Sequence, residues 1–535
     1  MRRWNGWGDE ATTYPLPDAA GRYLEGLVGK GRPQPDAPLD RILAGVPPPR
    51  LAPHAAISTD AATRFHHAHG QSLPDWIAMR TGRIAAFPDG VAQPTTDAEI
   101  RAWFDYARES GAHLIPYGGG TSVAGHVNPR TEDAPTLTLD LSRANRLLDL
   151  DETSRLATFE AGANGPEIER QLAAHGYTLG HFPQSWELST LGGWIATRSS
   201  GQQSYHYGRI ENLFAGGHVE TPAGPLDLPP LPASAAGPDL RQMILGSEGR
   251  FGIVTRAIVR VRKLPEVDQF HGIFFRDWEA GAAAVRAIAQ AGIGVSMLRL
   301  SDPQETEATL NLSGKDRLIA WANRGLGALG YREGRSLLIL GVTADRAAVF
   351  SAGQAAAHHA AVTIARKHGG LATGQTIGKT WRKGRFLTPY LRNTLWDRGY
   401  AIDTLETALP WAKTLAAAAA IKNAIRDALQ RTNQRVLVFA HLSHVYPDGA
   451  SIYVTYLWPL SADPDETLAQ WRAMKTAASQ AIIAHGATIS HQHGVGLDHA
   501  PYLKAEKGET GILMIEAVRA SLDPARILNP GKLID

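Results

Sequence analysis

Three consecutive glycines, at positions 118–120, directly follow a short apolar run that is predicted to be a strand. Residues without a Cβ atom let main-chain N–H groups close around an anion, so a strand followed by such a loop is typical of a phosphate-binding turn. The order of the glycines fits neither G-x-G-x-x-G opening a helix nor G-x-x-x-x-G-K-[ST]. Taken alone, the stretch is equally compatible with a plain glycine turn, and its surroundings have to decide.

The length and composition limit the kinds of protein that this chain can be. Its 535 residues exceed the size at which one hydrophobic core keeps growing, which predicts two or three domains. A net charge of +2, with no long basic stretch interleaved with aromatic residues, argues against a nucleic-acid partner. The absence of cysteine excludes disulfides, thiolate catalysis and a cysteinyl link to a cofactor. Without an apolar leader or an unbroken apolar run of about 18 residues, we expect a cytoplasmic protein.

The pattern of apolar residues divides the chain into four parts. Residues 1–75 are turn-rich and Pro-rich and are predicted to form an arm, while residues 76–265 alternate strand-like and helical runs and predict an α+β domain. Residues 266–470 combine Ala-rich helices with short strands and are predicted to form a cap or substrate domain, followed by one helix, a His-rich loop and a closing segment at 471–535. Predicted strands cover 113–116, 136–141, 253–261, 336–342, 435–441 and 451–458, and predicted helices cover 39–44, 100–110, 166–175, 278–290, 347–368 and 415–429.

Several further motifs accompany the triple glycine at wide spacing. A helix is predicted to start at 96–100, with Thr96 as its capping residue, and this start precedes the glycines; the segments at 181–185, 189–197 and 246–255 follow them. In this order they resemble the FAD-binding domain of the vanillyl-alcohol oxidase / p-cresol methylhydroxylase (PCMH) superfamily. The resemblance implies an α+β fold with a two-lobed PCMH-type FAD-binding domain, an α/β cap over the isoalloxazine, and a C-terminal segment that returns to the active site.

The resemblance also implies which residues bind FAD. Main-chain N–H groups of the glycine loop would contact the pyrophosphate, with Thr121 and Ser122 adding hydroxyl donors. Gly192 and Gly193 would approach the flavin or the pyrophosphate, although tight packing of a helix on a strand accounts for them too. The expected FAD contacts are Pro116, Gly118, Gly119, Gly120, Thr121, Ser122, Gln184, Ser185, Thr190, Gly192, Gly193, Glu248, Gly249 and Ile253.

Within the superfamily, the chain is most similar to the alkyldihydroxyacetonephosphate synthase family, which exchanges an acyl chain for an ether-linked alkyl chain. The similarity runs almost end to end, and the segments at 441–453 and 490–496 carry most weight, because a glycine motif cannot separate subfamilies. In that family the flavin N5 acts as a nucleophile on a ketone phosphate, a base removes a proton from the carbon that bears the ester, and no net redox change results.

The resemblance assigns catalytic roles to four residues. Tyr453 is the expected acid/base residue, assisted by His181 and by the loop that holds His491 and His493. A phenol with a pKa of about 10 needs a neighbouring cation or a hydrogen-bond network to work near neutral pH. An aromatic residue in a strand-like run is otherwise often mere packing, so both interpretations of Tyr453 stay open.

Two arginines are the expected ligands of the substrate phosphate. Arg392 and Arg299 qualify because a planar guanidinium makes paired, charge-assisted hydrogen bonds to phosphate. Arg392, however, follows a basic stretch that is equally compatible with a solvated face. That stretch contains Lys379, Arg382, Lys383 and Arg385.

The chain departs from the family pattern at one position of the last loop. The family has three consecutive histidines there, whereas this chain has Gln492 between His491 and His493, and glutamine cannot take up a proton. The alternative function is therefore an FAD-dependent oxidation of a 2-hydroxy acid such as D-lactate or glycolate. A divalent-metal site of the kind found in such relatives is not expected, because Tyr453 and Gln492 occupy the ligand positions. A third interpretation is a homologue without catalytic activity.

The expected partners follow from these interpretations. The substrate is predicted to be a small molecule or a lipid phosphate. A lipid substrate would bring peripheral membrane contact, and a homodimer is a further expectation; no nucleic acid is expected.

The sequence predicts that FAD is held non-covalently. Covalent relatives use a histidine in or near the glycine loop or a cysteine elsewhere, whereas here Thr121 follows the glycines and cysteine is absent. Acid precipitation of the purified yellow protein should leave a colourless pellet and a yellow supernatant; colour retained in the pellet would contradict this prediction.

Overall fold

Three large β-sheets and a two-stranded ribbon organise the part of the chain that the computed structural model describes, which is residues 2–131, 134–312, 323–344, 353–430, 432 and 434–534. The strands are β1 Gly90–Ala92, β2 His113–Tyr117, β3 Thr136–Asp140, β4 Leu147–Asp151, β5 Leu156–Glu160, β6 Tyr177–Thr178, β7 Phe214–Thr221, β8 Gly224–Leu228, β9 Ile253–Arg260, β10 Arg262–Lys263, β11 Val267–Phe275, β12 Met297–Ser301, β13 Ser336–Ala344, β14 Leu371–Ala372, β15 Tyr400–Pro410, β16 Leu437–Val445 and β17 Gly449–Pro459.

Eighteen helices are referred to by label below. They are α1 Asp18–Val28, α2 Leu39–Ala44, α3 Ala61–His66, α4 Leu73–Thr81, α5 Asp97–Ser110, α6 Gly165–Ala173, α7 Leu191–Thr197, α8 Ser204–Tyr207, α9 Ile210–Leu213, α10 Arg241–Ile244, α11 Trp278–Gln290, α12 Pro303–Leu312, α13 Ala355–Lys367, α14 Thr376–Gly384, α15 Thr388–Asp397, α16 Trp411–Gln430, α17 Pro464–Ala484 and α18 Ala500–Leu522. Among the described residues, no helix is both long and apolar enough to cross a membrane.

A parallel sheet with the order β1-β3-β2 places the glycine loop. Its strands are rich in Leu, Ile and Thr, and every residue of β3 is buried, as is usual for parallel strands. Helix α5 crosses between β1 and β2; the side chain of Thr96 accepts from the N–H of Glu99, whose carboxylate accepts from the N–H of Thr96. The triple glycine begins at the carboxyl end of β2, the edge at which ligands of parallel sheets bind.

An antiparallel sheet with the order β4-β5-β9-β7-β8 forms the second lobe, and an ionic network joins it to the first. Arg256 on β9 donates to Asp97 on α5 at 2.5 Å, and Arg101 on α5 donates to Glu220 on β7 at 2.5 Å. Asp97, His218 and Glu220 are the one close group of three ligand-type side chains in the described part of the chain. Because arginines already occupy both acids of this group, we describe it as an ion-pair seam between the lobes.

The seven-stranded antiparallel sheet of the cap has the order β14-β11-β13-β12-β16-β17-β15 and presents one face to the site. Successive side chains of a strand point to opposite faces, so alternate residues of β12, β16 and β17 share the inner face. The other face belongs to the largest apolar core, with α11 and α16 packed on it. Inner-face residues are Met297, Arg299, Ser301, Phe439, His441, Ser443, Tyr453, Thr455 and Leu457.

The C-terminal segment returns to the glycine loop. After the His-rich loop and α18, the N–H of Asn529 donates to the carbonyl of Leu114 on β2 at 2.8 Å, and Leu528 forms a parallel bridge with Leu114. The fully buried carboxylate of Asp523 accepts from the N–H groups of Ile527 and Leu528 at 3.1 and 2.9 Å. These side-chain to main-chain hydrogen bonds hold the last residues against the first lobe.

Most predicted elements are confirmed, and their ends differ by a few residues. The predicted helices at 39–44 and 278–290 coincide with α2 and α11, whereas the helix predicted at 347–368 is observed as α13, with residues 345–352 outside the described residues. Strand β16 continues past its predicted end at 441 because pairing with β17 resumes after a bulge. The boundary drawn at 470 falls inside α17, and two helices rather than one flank the His-rich loop.

Candidate flavin and substrate site

One cavity of about 930 Å³ lies between the two N-terminal sheets and the inner face of the cap sheet. All fourteen residues expected to contact FAD line it, and so do Tyr453, His493, Arg392 and Arg299. His181 and His491 do not line it. Its size is in the upper part of the range of small-molecule and cofactor pockets.

The glycine loop offers a row of unused main-chain donors. None of the N–H groups of residues 118–123 donates a hydrogen bond within the described residues, although neighbouring N–H groups are paired. A Cβ at Gly119 would lie 1.9 Å from the carbonyl oxygen of Leu188, and one at Gly118 would lie 2.2 Å from Thr190 Oγ1. The glycines therefore let the loop pack against residues 188–190 with six amides left for an anion, and this fits the FAD pyrophosphate.

The side chains near this loop serve partly to hold it in shape. The hydroxyl of Ser122 lies 2.6 Å from His126 Nδ1 and accepts from the N–H of His126, so it is engaged within the loop. Thr190 Oγ1 accepts from the N–H of Gly193 and caps α7, and the N–H of Gly192 donates to Ala161. Gly192 thus has the tight-packing role as well as a place in the cavity wall.

A buried carboxylate from the cap, that of Glu406 on β15, fixes the His-rich loop. It accepts from three successive N–H groups, those of His491, Gln492 and His493, at 2.7, 2.9 and 2.9 Å. The hydroxyl of Ser490 donates to it as well, at 3.0 Å. A buried charge is tolerated only when such donors surround it, so these bonds fix the loop in one position beside the cavity.

A second carboxylate, that of Glu248, holds the same loop from the FAD-binding side. It accepts from the N–H groups of Val495 and Gly496 at 2.5 and 2.9 Å, and one of its oxygens lies 3.2 Å from His126 Nε2. The side chain of Asn529 donates to the carbonyl of Glu248 at 2.7 Å. The loop, the glycine turn and the C-terminal segment are thereby joined in one polar network.

Tyr453 lies between two imidazoles in the cavity wall. Its ring is nearly parallel to that of His441, with centroids 4.9 Å apart, and meets that of His493 edge-on at 5.8 Å. Burial raises the pKa of Tyr453 to about 12, with the carboxylates of Glu406 and Asp403 adding to the increase against a hydrogen bond to Thr404 and the charge of Arg392. The sequence suggested that the His loop would ease loss of the phenol proton; in the structure the phenol instead holds its proton firmly.

The guanidinium of Arg392 is only partly hydrogen-bonded. Its Nη1 donates to the carbonyl of Gln71 at 2.6 Å and its guanidinium lies 4.3 Å from the ring of Trp76, but Nε and Nη2 are buried without a partner among the described residues. Burial lowers the pKa of Arg392 to about 10, so it is a cation at neutral pH. An incompletely paired guanidinium in a cavity fits an anionic ligand, whereas Lys379, Arg382 and Lys383 are exposed.

Arg299 differs, because its charge is already compensated. Its Nη2 donates to Glu305 Oε1 at 2.7 Å and its Nη1 donates to the hydroxyl of Ser301 at 2.9 Å. His441 Nδ1 lies 2.9 Å from the same oxygen of Glu305. Arg299, Glu305 and His441 therefore form a closed ionic cluster at the edge of the cavity.

The other two predicted catalytic histidines lie behind the cavity wall. The ring of His181 rests 4.8 Å from Trp194 with Nε2 3.2 Å from the hydroxyl of Ser199, and burial lowers its pKa to about 3. His491 Nε2 lies 2.7 Å from the hydroxyl of Tyr446, and burial lowers the pKa of His491 well below its ordinary value. Neither imidazole lines the cavity, and one ring nitrogen of each lies against the hydroxyl of a neighbouring residue.

Sequence reasoning missed the acids that organise the site. For Glu406, a lone carboxylate in a buried, largely apolar strand was the available signal, whereas Glu305 lies among Asp302, Gln304 and Glu307 in the first turn of α12, where nothing in the sequence sets it apart. Their partners are distant in sequence: His491 follows Glu406 by 85 residues and His441 follows Glu305 by 136 residues.

Family models match both halves of the chain. Residues 88–226 match the model described as FAD binding domain, and residues 264–533 match the model described as FAD linked oxidases, C-terminal domain. The second match alone covers half of the chain.

Curated relatives and a solved structure match almost the whole length. Alkyldihydroxyacetonephosphate synthase of Trypanosoma brucei brucei is 28% identical over 572 residues, covering 99% of this chain and 92% of the relative. The protein of that name from Caenorhabditis elegans is 30% identical over 487 residues, covering 90% and 81%. A solved structure of alkyldihydroxyacetonephosphate synthase superposes with a TM-score of 0.84 at 25% identity over 99% of this chain and 98% of the other.

More distant similarity extends to other FAD-linked proteins. A structure of p-cresol methylhydroxylase superposes with a TM-score of 0.68 at 14% identity over 97% of each chain, which confirms the expected fold. D-lactate dehydrogenase (cytochrome) 1, mitochondrial, of Saccharomyces cerevisiae is 25% identical over 482 residues, covering 89% of this chain and 75% of the relative.

Gly119→Ala should release the flavin. The new Cβ would overlap the carbonyl of Leu188, so the loop has to move and its amides lose their common direction. We expect FAD affinity to fall about tenfold or more, a loss of about 1.4 kcal/mol, measured by fluorescence titration of the apoprotein. Gly26→Ala on α1, where a Cβ meets nothing within 4 Å, is the matched control. Equal affinity in the two variants would contradict the assignment of the loop.

Proposed function

The chain belongs to the alkyldihydroxyacetonephosphate synthase family of FAD-linked proteins, and from this we propose that it replaces the acyl chain of an acylated dihydroxyacetone phosphate with the alkyl chain of a fatty alcohol. FAD is its cofactor. The observation that carries the proposal is the incompletely paired guanidinium of Arg392 in the same cavity as Tyr453, which combines an anion site with an acid/base group. Membership of this family already implies an FAD-dependent enzyme that acts on a small molecule.

The cap side of the cavity supports a substrate with a long hydrocarbon chain. Beyond the polar groups the wall is mainly apolar, and burying each methylene of a chain there contributes about 0.8 kcal/mol. We also propose that a substrate of this kind brings the protein into peripheral contact with membranes. Apolar wall residues include Leu24, Leu312, Leu391, Leu395, Ile402, Leu437, Phe439 and Leu457.

Arg392 is the residue that we assign to the substrate phosphate, in preference to Arg299. Its two unpaired donors suit a phosphate oxygen pair, and its stacking on Trp76 holds the guanidinium plane in place. Arg299 would have to give up Glu305 to do the same, which would leave a buried carboxylate unpaired.

Tyr453 acts as the proton donor. When bound, FAD supplies the nucleophilic N5 that activates the ketone carbon. Because its pKa is raised, the phenol stays protonated at neutral pH and donates a hydrogen bond to the departing carboxyl oxygen; as the alcohol adds, its hydroxyl proton passes through the phenol to the released carboxylate, so the proton balance closes without an external acid or base. We further propose non-covalent FAD, because the chain has no cysteine and both nitrogens of His126, which lines the cavity together with the glycines, face Ser122 and Glu248.

Oxidation of a 2-hydroxy acid is the second candidate, favoured by the similarity to D-lactate dehydrogenase. In this chain the position of a metal-binding histidine holds Tyr453, and His441 bonds Glu305 rather than facing a second imidazole across an open site. A hydroxy acid would also leave the apolar part of the cavity unused. These features favour the exchange reaction.

The two functions differ in what happens without oxygen. Mixed anaerobically with D-lactate or glycolate, the yellow protein should keep its flavin absorbance, whereas acylated dihydroxyacetone phosphate and fatty alcohol should give alkyl product with no electron acceptor.

Tyr453→Phe should keep the flavin spectrum and lower turnover about 10²- to 10⁴-fold, because the proton donor is lost. Bleaching by the hydroxy acids would select the oxidation instead, and full activity of Tyr453→Phe would remove this residue from the role.

Arg392→Ala should weaken substrate binding far more than it weakens the fold. Losing charge-assisted bonds worth about 1.5–3 kcal/mol should raise KM for the phosphate substrate about 10- to 150-fold, measured by initial rates. Arg382→Ala, an exposed arginine on α14, is the matched control. Equal KM values in the two variants would contradict the assignment.

A further inference from the structure

Glu305 holds His441 as a carboxylate holds the imidazole of an acid–base pair. His441 Nδ1 and Arg299 Nη2 lie 2.9 and 2.7 Å from Glu305 Oε1, and the two nitrogens are 3.2 Å apart. A carboxylate oxygen has two lone pairs and accepts from both. Nδ1 therefore carries a hydrogen in the neutral ring, and Nε2 is the nitrogen with a free lone pair.

The free nitrogen belongs to a ring that lines the cavity. His441 Nε2 has no hydrogen-bonding partner among the described residues, and the ring lies parallel to Tyr453 at 4.9 Å. A base and an acid thus stand side by side in the cavity wall. His126, His444 and His493 also line the cavity, but of these four rings that of His441 is the one stacked on Tyr453, whereas His181 and His491 lie outside the cavity.

The charges around His441 keep it unprotonated at neutral pH. Burial lowers the pKa of His441, and Arg299 on β12 lowers it further, whereas Glu305 and Asp302 beside α12 raise it. Tyr453 on β17 is a neutral phenol, and burial also lowers the pKa of His444, on the same strand as His441, so that ring too is neutral. A neutral imidazole can accept a proton. The phenol of Tyr453 cannot, because its high pKa keeps it protonated.

We propose that His441 is the base that removes the proton from the ester-bearing carbon of the substrate and later returns it, with Glu305 as its positioning residue. This rests on the function proposed above. The C–H bond breaks, its proton moves to Nε2, and its electron pair stays in the substrate. The acyl group leaves with its C–O pair, the alcohol oxygen attaches with its own pair, and Nε2 gives the proton back to the same carbon. No electron acceptor is consumed.

His441→Gln should block hydrogen exchange at that carbon. When the holoenzyme in D2O is given acylated dihydroxyacetone phosphate without alcohol, the substrate should incorporate deuterium at that carbon. Mass spectrometry measures the rate of incorporation. His441→Gln should lower this rate about 10²- to 10⁴-fold, with its flavin spectrum unchanged and its calorimetric affinity for the substrate within about threefold of wild type. His271→Gln, on β11 beside His358 and outside the cavity wall, is the matched control.

The exchange assay separates the two proposals. Exchange by wild type that persists in His441→Gln would overturn the role of His441 and leave the proposed function standing. Absence of exchange in wild type would overturn the proposed function together with this role. Tyr453→Phe should keep the exchange while losing alkyl product, which a merely structural effect on the pocket would not produce.

Glu305→Gln tests the pair without removing the base. Hydrogen exchange requires the neutral form of His441, so the exchange rate falls as the pH drops through the pKa of this ring. Because the carboxylate raises that pKa, its removal should move the acidic limb of the pH profile to lower pH and lower the plateau about tenfold. An unchanged limb would overturn the proposal, and this result decides the matter if His441→Gln does not retain FAD.

Discussion

The rest of the site depends on two buried carboxylates that hold the His-rich loop in place by accepting hydrogen bonds from its main chain. Glu406 reaches the loop from the cap and Glu248 from the FAD-binding domain, and together they accept from five main-chain N–H groups between 491 and 496. Each acid would be costly in the interior without those donors, and each donor would be unsatisfied without the acids. The loop therefore couples the two domains, so that His493 and Gln492 face the cavity while His491 is turned away from it.

Charge pairing then decides which cations remain free for a ligand. Arg299, Arg385 and Arg392 line the cavity. Glu305 neutralises Arg299, whereas Arg385 donates to the side-chain amide of Gln203, and Arg392 donates to the carbonyl of Gln71 and stacks on the indole ring of Trp76. The same logic explains why the triple glycine matters: its amides have no acceptor within the part of the chain that the structure describes. Among the described residues, the positive groups of the cavity without a carboxylate partner thus lie at the glycine loop, Arg385 and Arg392, and Arg392 is the arginine that keeps Nε and Nη2 buried and unpaired. This distribution is compatible with the proposed sites for the cofactor phosphates and the substrate phosphate.

The sequence was a good guide to everything that a local pattern specifies. The glycine loop after β2, the capped start of α5 and the strands of the cap follow from residue type and spacing, and every expected FAD contact lines the cavity. It was a poor guide to side-chain direction at the His-rich loop. His491 and His493 are two residues apart in a segment without regular structure, and only the bonds to Glu406 determine which imidazole meets the cavity. Hydrogen bonds between residues that are 85 positions apart leave no periodic pattern in the sequence.

The environment of Tyr453 links the acid and the base of the site. A phenol surrounded by Glu406, Asp403 and apolar walls keeps its proton, because its anion would add a third negative charge to a region with little solvent. Burial also lowers the pKa of the neighbouring imidazoles of His441 and His493, because it disfavours their cationic form. One physical cause thus moves the two pKa values apart in opposite directions, which is the arrangement that lets an acid and a base coexist at neutral pH. Gln492 fits this arrangement, because an amide between the two histidines adds polarity to the wall without adding another group that competes for the proton.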